Sequence, residues 1–261
     1  MNKKTLVITG GSSGIGKATA ELFAAKGYKV YELSRHGADS VGVTHIDCDV
    51  TVPADCCRAI AMAVEESGGV DILISNAGMG ISGAVEFTSA DDAKRQMDVN
   101  FFGAVNITQA VLPYMRQARR GSIIFVSSMA SVFSIPFQSF YSASKFAVNA
   151  LAMSLRNEVR PFGICVCCLL PGDVKTGFTE ARRKSVEGAD VYQNMDKAIA
   201  TMEHDEANGI APERMARKLL SIAEARRPCA YYTVGAQYHL FQLLGKLLPA
   251  TWTYKIVGKI Y

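Results

Sequence analysis

The sequence predicts a doubly wound α/β fold, in which a mostly parallel sheet carries helices on both faces. Short apolar segments alternate with longer amphipathic ones along the 261-residue chain. Several of the short segments are almost continuously apolar, as expected for strands that are covered on both sides. Hydrophobic residues make up 49% of the chain and no linker or repeat divides it, so we predict a single domain over 1–261 with one substantial core.

The alternation predicts both kinds of element in order. The strands are expected over 5–10, 28–34, 43–49, 71–78, 121–128, 164–172 and 229–234. The helices are expected over 14–26, 52–67, 91–118, 141–160 and 212–226. Pro161 ends the fourth helix, and Pro212 suits the first turn of the fifth.

Residues 176–209 interrupt this alternation with a long, charged segment of predicted helix that follows the sixth strand. Ligands of open α/β sheets bind beyond the carboxyl ends of the strands. We therefore interpret 176–209 as a lid over that site, and a surface decoration is the alternative.

Charge and composition exclude several classes of protein. The net charge of +4 is mild and no basic tract is present, which argues against a nucleic-acid partner. The seven cysteines and four histidines follow no disulfide, zinc or other ligand spacing, so we predict no metal and a reducing, cytoplasmic compartment. The first apolar run ends at Ile8, too short for a signal peptide, and no run reaches the ~20 residues of a membrane span.

The first predicted strand runs into the glycine-rich sequence "TGGSSGIG" over 9–16, directly before a predicted helix. Glycines allow a tight turn and a close approach of the backbone to a pyrophosphate, whose charge is favoured at a helix N-terminus. The spacing is G-x-x-x-G-x-G, which is weak evidence by itself. We predict dinucleotide contacts from Gly10, Ser12, Ser13, Gly14, Ile15 and Gly16.

The end of the second strand is expected to select the cofactor at its adenosine ribose. Ser34 carries no charge that would repel a 2′-phosphate, and the Arg35 guanidinium can bind one, so we predict NADP(H). A competing interpretation places Glu32 on the ribose hydroxyls of NAD. Asp49 and Val50 are candidates for the adenine edge, and a buried structural role for Asp49 is nearly as plausible.

Further motifs follow in a fixed order: "SNAG" over 75–78, Val99–Asn100, Ser127–Ser128, "YSASK" over 141–145 and "PGDVKT" over 171–176. Together with the glycine-rich turn they resemble the short-chain dehydrogenase/reductase family over all but about the last thirty residues. "SNAG" stands where the family more often has "NNAG", but Asn76, Ala77 and Gly78 remain. The resemblance implies a Rossmann-type fold and oxidation or reduction with a nicotinamide cofactor.

In "YSASK", a phenol and an ammonium lie four residues apart, on one face of a helix. The resemblance implies that Tyr141 is the general acid and base, that Lys145 lowers its pKa and holds the nicotinamide ribose, and that Ser128 binds the substrate oxygen. It also implies that Asn100 supports a proton relay through water. Ser127 would face away because side chains alternate along a strand. The alternatives are a solvated Tyr–Lys face and a structural Asn100.

The resemblance adds further cofactor contacts, with the "PGDVKT" loop expected to close over the nicotinamide. They are Asn76, Ala77, Gly78, Asn100, Tyr141, Lys145, Pro171, Gly172, Val174 and Thr176. A nucleotide-sensing protein without turnover is the other functional class. It would be expected to lack the tyrosine or the lysine, so the presence of all four catalytic candidates favours an enzyme.

Methionines and aromatic residues near these motifs predict a bulky apolar substrate. The expected lining comprises Met79, Ile81, Met129, Val132, Phe133, Phe137, Phe178, Tyr192, Met195 and Met202, with Ser128, Met129, Phe133, Tyr141 and Phe178 as the substrate contacts. We predict interconversion of a secondary alcohol and a ketone, on a hydroxysteroid or bile acid as in the hydroxysteroid and retinol dehydrogenase branch. A fatty-acyl, retinoid or simple ketone or aldehyde reductase is the alternative. "TEARRKS" over 179–185 could meet a substrate carboxylate or form an exposed helix face.

The tail, residues 238–261, is rich in leucine and aromatic residues and contains three lysines. It could form a subunit interface, a flap over the substrate entrance or an interfacial membrane anchor. Pro249 interrupts it, so we favour a flap combined with an interface and regard membrane contact as the least favoured of the three. Family resemblance implies a homodimer or homotetramer.

Overall fold

The computed structural model describes residues 3–185 and 187–261. Met1, Asn2 and Val186, the last within the predicted lid, lie outside the described residues. The strands are β1 (Thr5–Thr9), β2 (Lys29–Ser34), β3 (Val43–Asp47), β4 (Ile72–Ser75), β5 (Ile81–Ser82), β6 (Gly121–Val126), β7 (Ile164–Leu169), β8 (Arg183–Lys184) and β9 (Tyr231–Tyr232). Seven of them form a parallel sheet in the order β3-β2-β1-β4-β6-β7-β9.

The helices are α1 (Gly14–Ala25), α2 (Pro53–Ser67), α3 (Ala90–Met97), α4 (Gly103–Ala118), α5 (Ser139–Glu158), α6 (Phe178–Ala181), α7 (Met195–Ala207), α8 (Pro212–Ala223), α9 (Ala236–Leu247) and α10 (Ala250–Ile260). Buried residues of α2, α4 and α5 share one core cluster with the sheet, and those of α1 and α8 share another. The predicted doubly wound parallel fold is confirmed.

Alternation along the central strand β1 explains why the sheet needs cover on both faces. Val7 belongs to the core under α2, α4 and α5, whereas Leu6 and Ile8 belong to the core under α1 and α8. All three side chains are fully buried. Successive side chains of a strand point to opposite faces, so a continuous apolar run is what this position requires.

The single helix predicted over 91–118 is interrupted in the structure. Asp98–Phe102 forms a π-helical turn between α3 and α4. Asn100 lies in this wider turn, where its side chain is tied to neighbouring segments. Isolated π turns within helices are frequent at functional sites. Periodicity predicted the helix but not the wider turn, since the turn depends on bonds to distant residues.

The segment over 176–209 contains α6, β8 and α7, and β8 pairs with β5 in a separate two-stranded ribbon. Buried Met195 and Met202 of α7 share a small core cluster, against which Phe137 and Tyr192 pack. Three residues expected to line a substrate pocket, Phe137, Tyr192 and Met195, therefore serve mainly to hold this segment on the domain.

The tail forms two helices, α9 and α10, that follow the last strand of the sheet. Among the described residues, no helix is both long and apolar enough to cross a membrane. The seven cysteines are all free thiols.

Candidate active site

A cavity of about 440 Å³ lies beyond the carboxyl ends of the central strands, where the strand order reverses between β1 and β4. This is the ligand position expected for an open α/β sheet. It brings together most of the predicted site residues, namely Gly10, Ser13, Gly14, Ile15, Asn76, Ala77, Gly78, Ser128, Met129, Phe133, Tyr141, Lys145, Pro171, Gly172, Val174, Thr176 and Phe178. The remaining candidates, Ser12, Gly16, Ser34, Arg35, Asp49, Val50 and Asn100, lie outside its wall.

The glycine-rich turn has a backbone conformation and a packing that other residues would not allow. Gly10 and Gly14 have φ values of 65° and 52°, in the left-handed region. A Cβ on Gly16 would stand 2.1 Å from the Gly10 carbonyl oxygen. Ser13 caps α1 without a side-chain hydrogen bond to the described chain, so backbone N–H groups at this terminus remain for an anion. The turn fits the pyrophosphate of a dinucleotide.

Thr9, which the sequence analysis did not select, joins the glycine-rich turn to the loop after β4. Its hydroxyl accepts hydrogen bonds from the backbone N–H groups of Asn76 and Ala77, both at 3.0 Å. The Asn76 amide returns bonds to the carbonyls of Thr9 (3.0 Å) and Gly10 (3.1 Å). The position of Thr9 at the end of β1, within the quoted motif, was the available signal.

Ser34 and Arg35 lie at the end of β2, where the cofactor ribose was predicted, and Arg35 is exposed. Glu32 is buried beside this position. Its Oε1 contacts His45 Nδ1 and accepts a hydrogen bond of 3.2 Å from the Ser34 hydroxyl. Its Oε2 is buried next to Gly11 and has no hydrogen-bond partner among the described residues, so Glu32 lies between the glycine-rich turn and Ser34.

Asp49 and Val50 follow β3 at the same edge of the sheet. Asp49 Oδ1 accepts bonds from the Thr51 backbone N–H at 2.9 Å and from the Thr51 hydroxyl at 2.7 Å. Burial would raise the pKa of Asp49, but the Thr51 bonds and the charge of Arg35 lower it overall. Asp49 thus stabilises the turn after β3, and its carboxylate lies close enough to Arg35 for the two charges to attract each other.

Asn100 is buried, and its side-chain amide makes three hydrogen bonds. Its Oδ1 accepts from the Met79 N–H at 2.8 Å, while its Nδ2 donates to the Met79 carbonyl and the Ser144 hydroxyl, each at 3.0 Å. A Cβ on Gly78 would lie 3.3 Å from Asn100 Oδ1 and 3.6 Å from Lys145 Nζ. A side chain at position 78 would therefore meet both Asn100 and Lys145, which lie on either side of Gly78.

Tyr141 and Lys145 line the same cavity from the first turns of α5. Burial raises the pKa of Tyr141 to about 12, and its contact with Ser128 opposes this rise. Burial also lowers the pKa of Lys145 to about 8. Lys145 Nζ donates to the Val126 carbonyl at 3.0 Å and lies 5.7 Å from the centre of the Tyr141 ring.

Burial is the largest influence on the pKa of Tyr141, and the effect of Lys145 on that pKa stays a prediction. The ammonium is directed to a backbone carbonyl, and burial destabilises the phenolate more than neighbouring groups stabilise it. Both groups shift toward their neutral forms. Both neighbouring serines line the cavity, but their hydroxyls have different partners. The Ser127 hydroxyl donates to the Lys145 carbonyl at 3.2 Å, whereas Ser128 Oγ accepts from the Ala130 N–H at 3.0 Å.

The "PGDVKT" loop closes one side of the cavity over the glycine-rich turn. Thr176 lies so near Gly14 that a Cβ there would stand 3.3 Å from the threonine side chain. The tail packs so closely on this loop that position 172 must be glycine. A Cβ there would lie 2.1 Å from the ring of Tyr238. The Tyr238 hydroxyl donates to Asp173 Oδ2 at 2.6 Å and accepts from the Asp173 N–H at 2.9 Å.

The far end of the cavity is apolar. Of the ten residues expected to line a substrate pocket, four do so, namely Met129, Phe133, Phe178 and Met202. Most of the remaining apolar wall comes from the tail, whose cavity residues are Tyr238, Phe241, Leu244, Leu248, Thr253, Ile256, Val257, Ile260 and Tyr261. The sequence analysis named the tail as a candidate flap but selected none of these side chains.

The cations of "TEARRKS" are paired within the chain. Arg182 is buried against Glu206, Arg183 pairs with Asp92, and Lys184 pairs with Glu203. Arg183 and Lys184 would have to give up these partners to bind a carboxylate of the substrate, and Arg182, whose Nε and Nη1 have no hydrogen-bond partner among the described residues, is buried. This stretch is therefore neither a free anion site nor a simple exposed helix face.

The described residues contain no group of three or more histidine, cysteine, aspartate or glutamate side chains that could hold a metal ion. The polar end of the cavity offers instead a phenol, an ammonium and a hydroxyl from Tyr141, Lys145 and Ser128. These groups can bind an oxygen atom and exchange a proton with it.

Comparisons with known proteins agree with this arrangement. The sequence model described as "short chain dehydrogenase" matches residues 4–187. A 3-ketodihydrosphingosine reductase of Bacteroides thetaiotaomicron is 42% identical over 239 residues, covering 90% of this chain and 89% of the relative. A probable short-chain type dehydrogenase/reductase, VdlC of Helicobacter pylori, is 32% identical and covers 94% of this chain and 93% of its own.

The crystal structure of a short-chain dehydrogenase from Streptomyces avermitilis superposes with a TM-score of 0.85 at 27% identity. The match covers 99% of this chain and 98% of that structure, so it includes the two tail helices. The chain therefore belongs to the short-chain dehydrogenase/reductase family and is an oxidoreductase of CH–OH and keto groups with an NAD(P) cofactor.

Proposed function

We propose that the protein uses NADPH to reduce a ketone carried by a long, apolar lipid, of the kind represented by 3-ketodihydrosphingosine. The observation that carries this proposal is a single cavity with two unlike ends. Tyr141, Lys145 and Ser128 lie at the polar end, and side chains of α9 and α10 line the apolar end. The relative of 42% identity that is named for a long-chain ketone supports this substrate class.

The chain's residues divide the work of such a reduction. The bound nicotinamide would supply the hydride. Tyr141 holds a proton that burial keeps on the phenol, and it would give this proton to the carbonyl oxygen. Ser128 would donate a hydrogen bond to the same oxygen, where negative charge develops. Asn100 would fix the loop at Met79 and the first turns of α5, so that Tyr141 stays in place.

The cofactor would bind along the edge formed by the strand ends. The pyrophosphate would lie on the turn that contains Gly10, Ser12, Ser13, Gly14, Ile15 and Gly16. Lys145 would hold the nicotinamide ribose, and Val174 and Thr176 would meet the carboxamide. The uncharged Ser34 and the exposed Arg35 favour the 2′-phosphate of NADP, because serine does not repel a phosphate and a guanidinium can bind one.

A hydroxysteroid or bile acid is the second candidate substrate. The cavity volume of about 440 Å³ and its aromatic side chains, Phe133 and Phe241, favour a bulky ring system as well as a chain. The paired cations of "TEARRKS" remove the argument for a bile-acid carboxylate. This leaves the long-chain ketone as the better-supported substrate.

Purified protein with NADPH should be tested against 3-ketodihydrosphingosine, keto-steroids, keto-bile acids and medium-chain ketones. We expect the highest kcat/KM with the long-chain ketone, and a much lower value with NADH. Turnover confined to steroid ketones would replace the proposed substrate class, and turnover only on small ketones would exclude both classes.

We also propose a homo-oligomer, a homodimer or homotetramer. Phe102 in the π-helical turn and Phe146 on α5 are 49% and 42% exposed, and burial between subunits would remove both from water. Light scattering of the purified protein would measure the subunit number, and a monomer at micromolar concentration would contradict the proposal.

A further inference from the structure

The two tail helices have apolar residues on their outer as well as their inner sides. On α9, Tyr238, Phe241 and Leu244 line the cavity. Leu240, Leu243 and Leu247 do not, and they are 53%, 52% and 70% exposed. Their spacing of three and four residues places them on one stripe of the helix, next to the cavity side and turned outward from it.

Helix α10 repeats this arrangement. Thr253 and Val257 are buried, whereas Trp252, Ile256 and Ile260 follow one another at intervals of four residues and are about half exposed or more. Ile256 and Ile260 also reach the cavity, so this stripe borders it. Three turns of helix thus present large apolar side chains to the outside of the molecule.

The charge on this surface has one sign. Lys246, Lys255 and Lys259 are exposed, and no aspartate or glutamate occurs anywhere between 236 and 261. On α10, Lys255 and Lys259 each lie one position before an apolar residue of the stripe, so they border it. Apolar residues with lysines at their margin and a tryptophan among them are typical of helices that lie in a lipid interface.

We propose that the outer surface of α9 and α10 docks on an anionic lipid bilayer, with both helices lying in the headgroup region. The alternative occupant is a second copy of this chain. In a two-fold interface the same patch meets itself, so six lysines would be brought to one interface with no carboxylate of the tail to pair with them. Anionic lipid headgroups supply the opposite charge that the tail lacks.

This surface departs from the sequence-based expectation of a flap combined with a subunit interface. The same two helices line the cavity on one side and would meet the bilayer on the other. A lipid ketone could then pass between bilayer and cavity without crossing water. The docking surface does not depend on the proposed reaction, whereas this purpose does rest on it.

Flotation with vesicles tests the docking without substrate or nucleotide. The full chain should float with vesicles of phosphatidylcholine and phosphatidylglycerol, and much less with phosphatidylcholine alone. Reversing three charges in Lys246→Glu/Lys255→Glu/Lys259→Glu should lower the partition coefficient about 100-fold, since each basic residue near such a surface contributes about 1 kcal/mol. The matched control Lys3→Glu/Lys26→Glu/Lys197→Glu, also at exposed lysines, should bind nearly as wild type.

A second set of variants tests the apolar stripe. Leu243→Gln/Leu247→Gln/Trp252→Gln changes side chains outside the cavity and should abolish flotation. Val41→Gln/Val85→Gln/Val191→Gln, at exposed valines elsewhere, should leave flotation unchanged. Unchanged circular dichroism and NADPH binding would show that each variant is folded.

Two results would overturn the proposal. One is a wild-type chain that does not float with anionic vesicles. The other is a stripe variant whose mass by light scattering falls below that of the wild type, because the surface would then be a subunit interface. A wild-type chain that floats as expected but does not reduce a long-chain ketone would count against the proposed function alone.

Discussion

The two ends of the cavity are built in different ways. At the nucleotide end, the ligand surface consists of strand ends and turns held by backbone bonds, as where Thr9 and Asn76 join two adjacent strands. At the substrate end, it consists of side chains from helices that follow the sheet, with Tyr238 and Asp173 as a polar link to the domain. The first end is fixed by the fold, whereas the second can change with the tail sequence.

Because of this difference, the residues proposed for the reaction and those proposed to select the substrate lie on different parts of the fold. The glycine-rich turn and Ser128 lie where parallel strands end, a position set by the topology, and Tyr141 and Lys145 lie in the first turns of α5 beside them. The side chains proposed to choose the substrate lie on α9 and α10, which no strand of the sheet follows. We therefore expect substitutions at the nucleotide end to affect every substrate, and those at the tail to affect some substrates only.

The largest effect is expected at Gly16. A Cβ there would stand 2.1 Å from the Gly10 carbonyl, so Gly16→Ala must distort the glycine-rich turn. We expect a loss of about 3 kcal/mol in the free energy of unfolding and no measurable NADPH binding. Gly258→Ala on α10 is the control, because its Cβ would meet nothing within 4 Å. Equal NADPH affinity in the two variants would contradict a nucleotide site on this turn.

The next effect concerns the choice between NADPH and NADH at Arg35, which follows β2 at the nucleotide end. Arg35→Ala removes the cation proposed to bind the 2′-phosphate, so kcat/KM for NADPH should fall about 10- to 100-fold. The value for NADH should change little, and Lys26→Ala, at another exposed cation, should change neither. A parallel fall with both cofactors would show that Arg35 does not read the phosphate.

A smaller and more selective effect is expected at the substrate end. Leu244 lines the cavity, whereas its neighbour Leu243 faces outward on the same helix. Leu244→Ala should lower kcat/KM about 10-fold for a long-chain ketone, through lost apolar contact, and leave the KM for NADPH unchanged. Leu243→Ala should have no effect when no vesicles are present. If both variants behaved alike, the tail would not line the substrate site.

The smallest effect is a pH dependence of stability at the edge of the sheet. Burial lowers the pKa of His45, but its contacts with Asp47 and Glu32 outweigh burial and raise it. A raised folded-state pKa gives stability that is full below the unfolded value of about 6.5 and is lost as pH rises through the folded value. His45→Gln should therefore lower Tm by about 2–4 °C at pH 5.5 and less at pH 8. An equal loss at both values would exclude a charged His45.

The strands and the glycine-rich turn could be predicted from sequence because they depend on neighbouring residues. Continuous apolar runs specify buried parallel strands, and Pro53 at the first turn of α2 agrees with the boundary expected there. The residues of the nucleotide end lie in short motifs directly after those strands. Their position in space therefore follows from the topology alone.

The substrate end could not be predicted in the same way. The contact between Tyr238 and Asp173 joins residues 65 positions apart, and no spacing along the chain indicates it. The π-helical turn at Asn100 depends likewise on Met79 and Ser144, from two other segments. Composition suggested that the cavity is apolar, but the choice between cavity and core at Tyr192 and Met195 was decided by packing.

Deuterium transfer tests most directly whether the two ends meet at Tyr141 in one reaction. NADPH deuterated at the reactive nicotinamide carbon would be mixed with a long-chain 3-ketone and the wild-type protein. Mass spectrometry should find one deuterium on the new carbinol carbon. Tyr141→Phe should bind NADPH normally and transfer deuterium about 100- to 10,000-fold more slowly. Absence of transfer in the wild type, or equal rates in the variant, would contradict the proposed reduction.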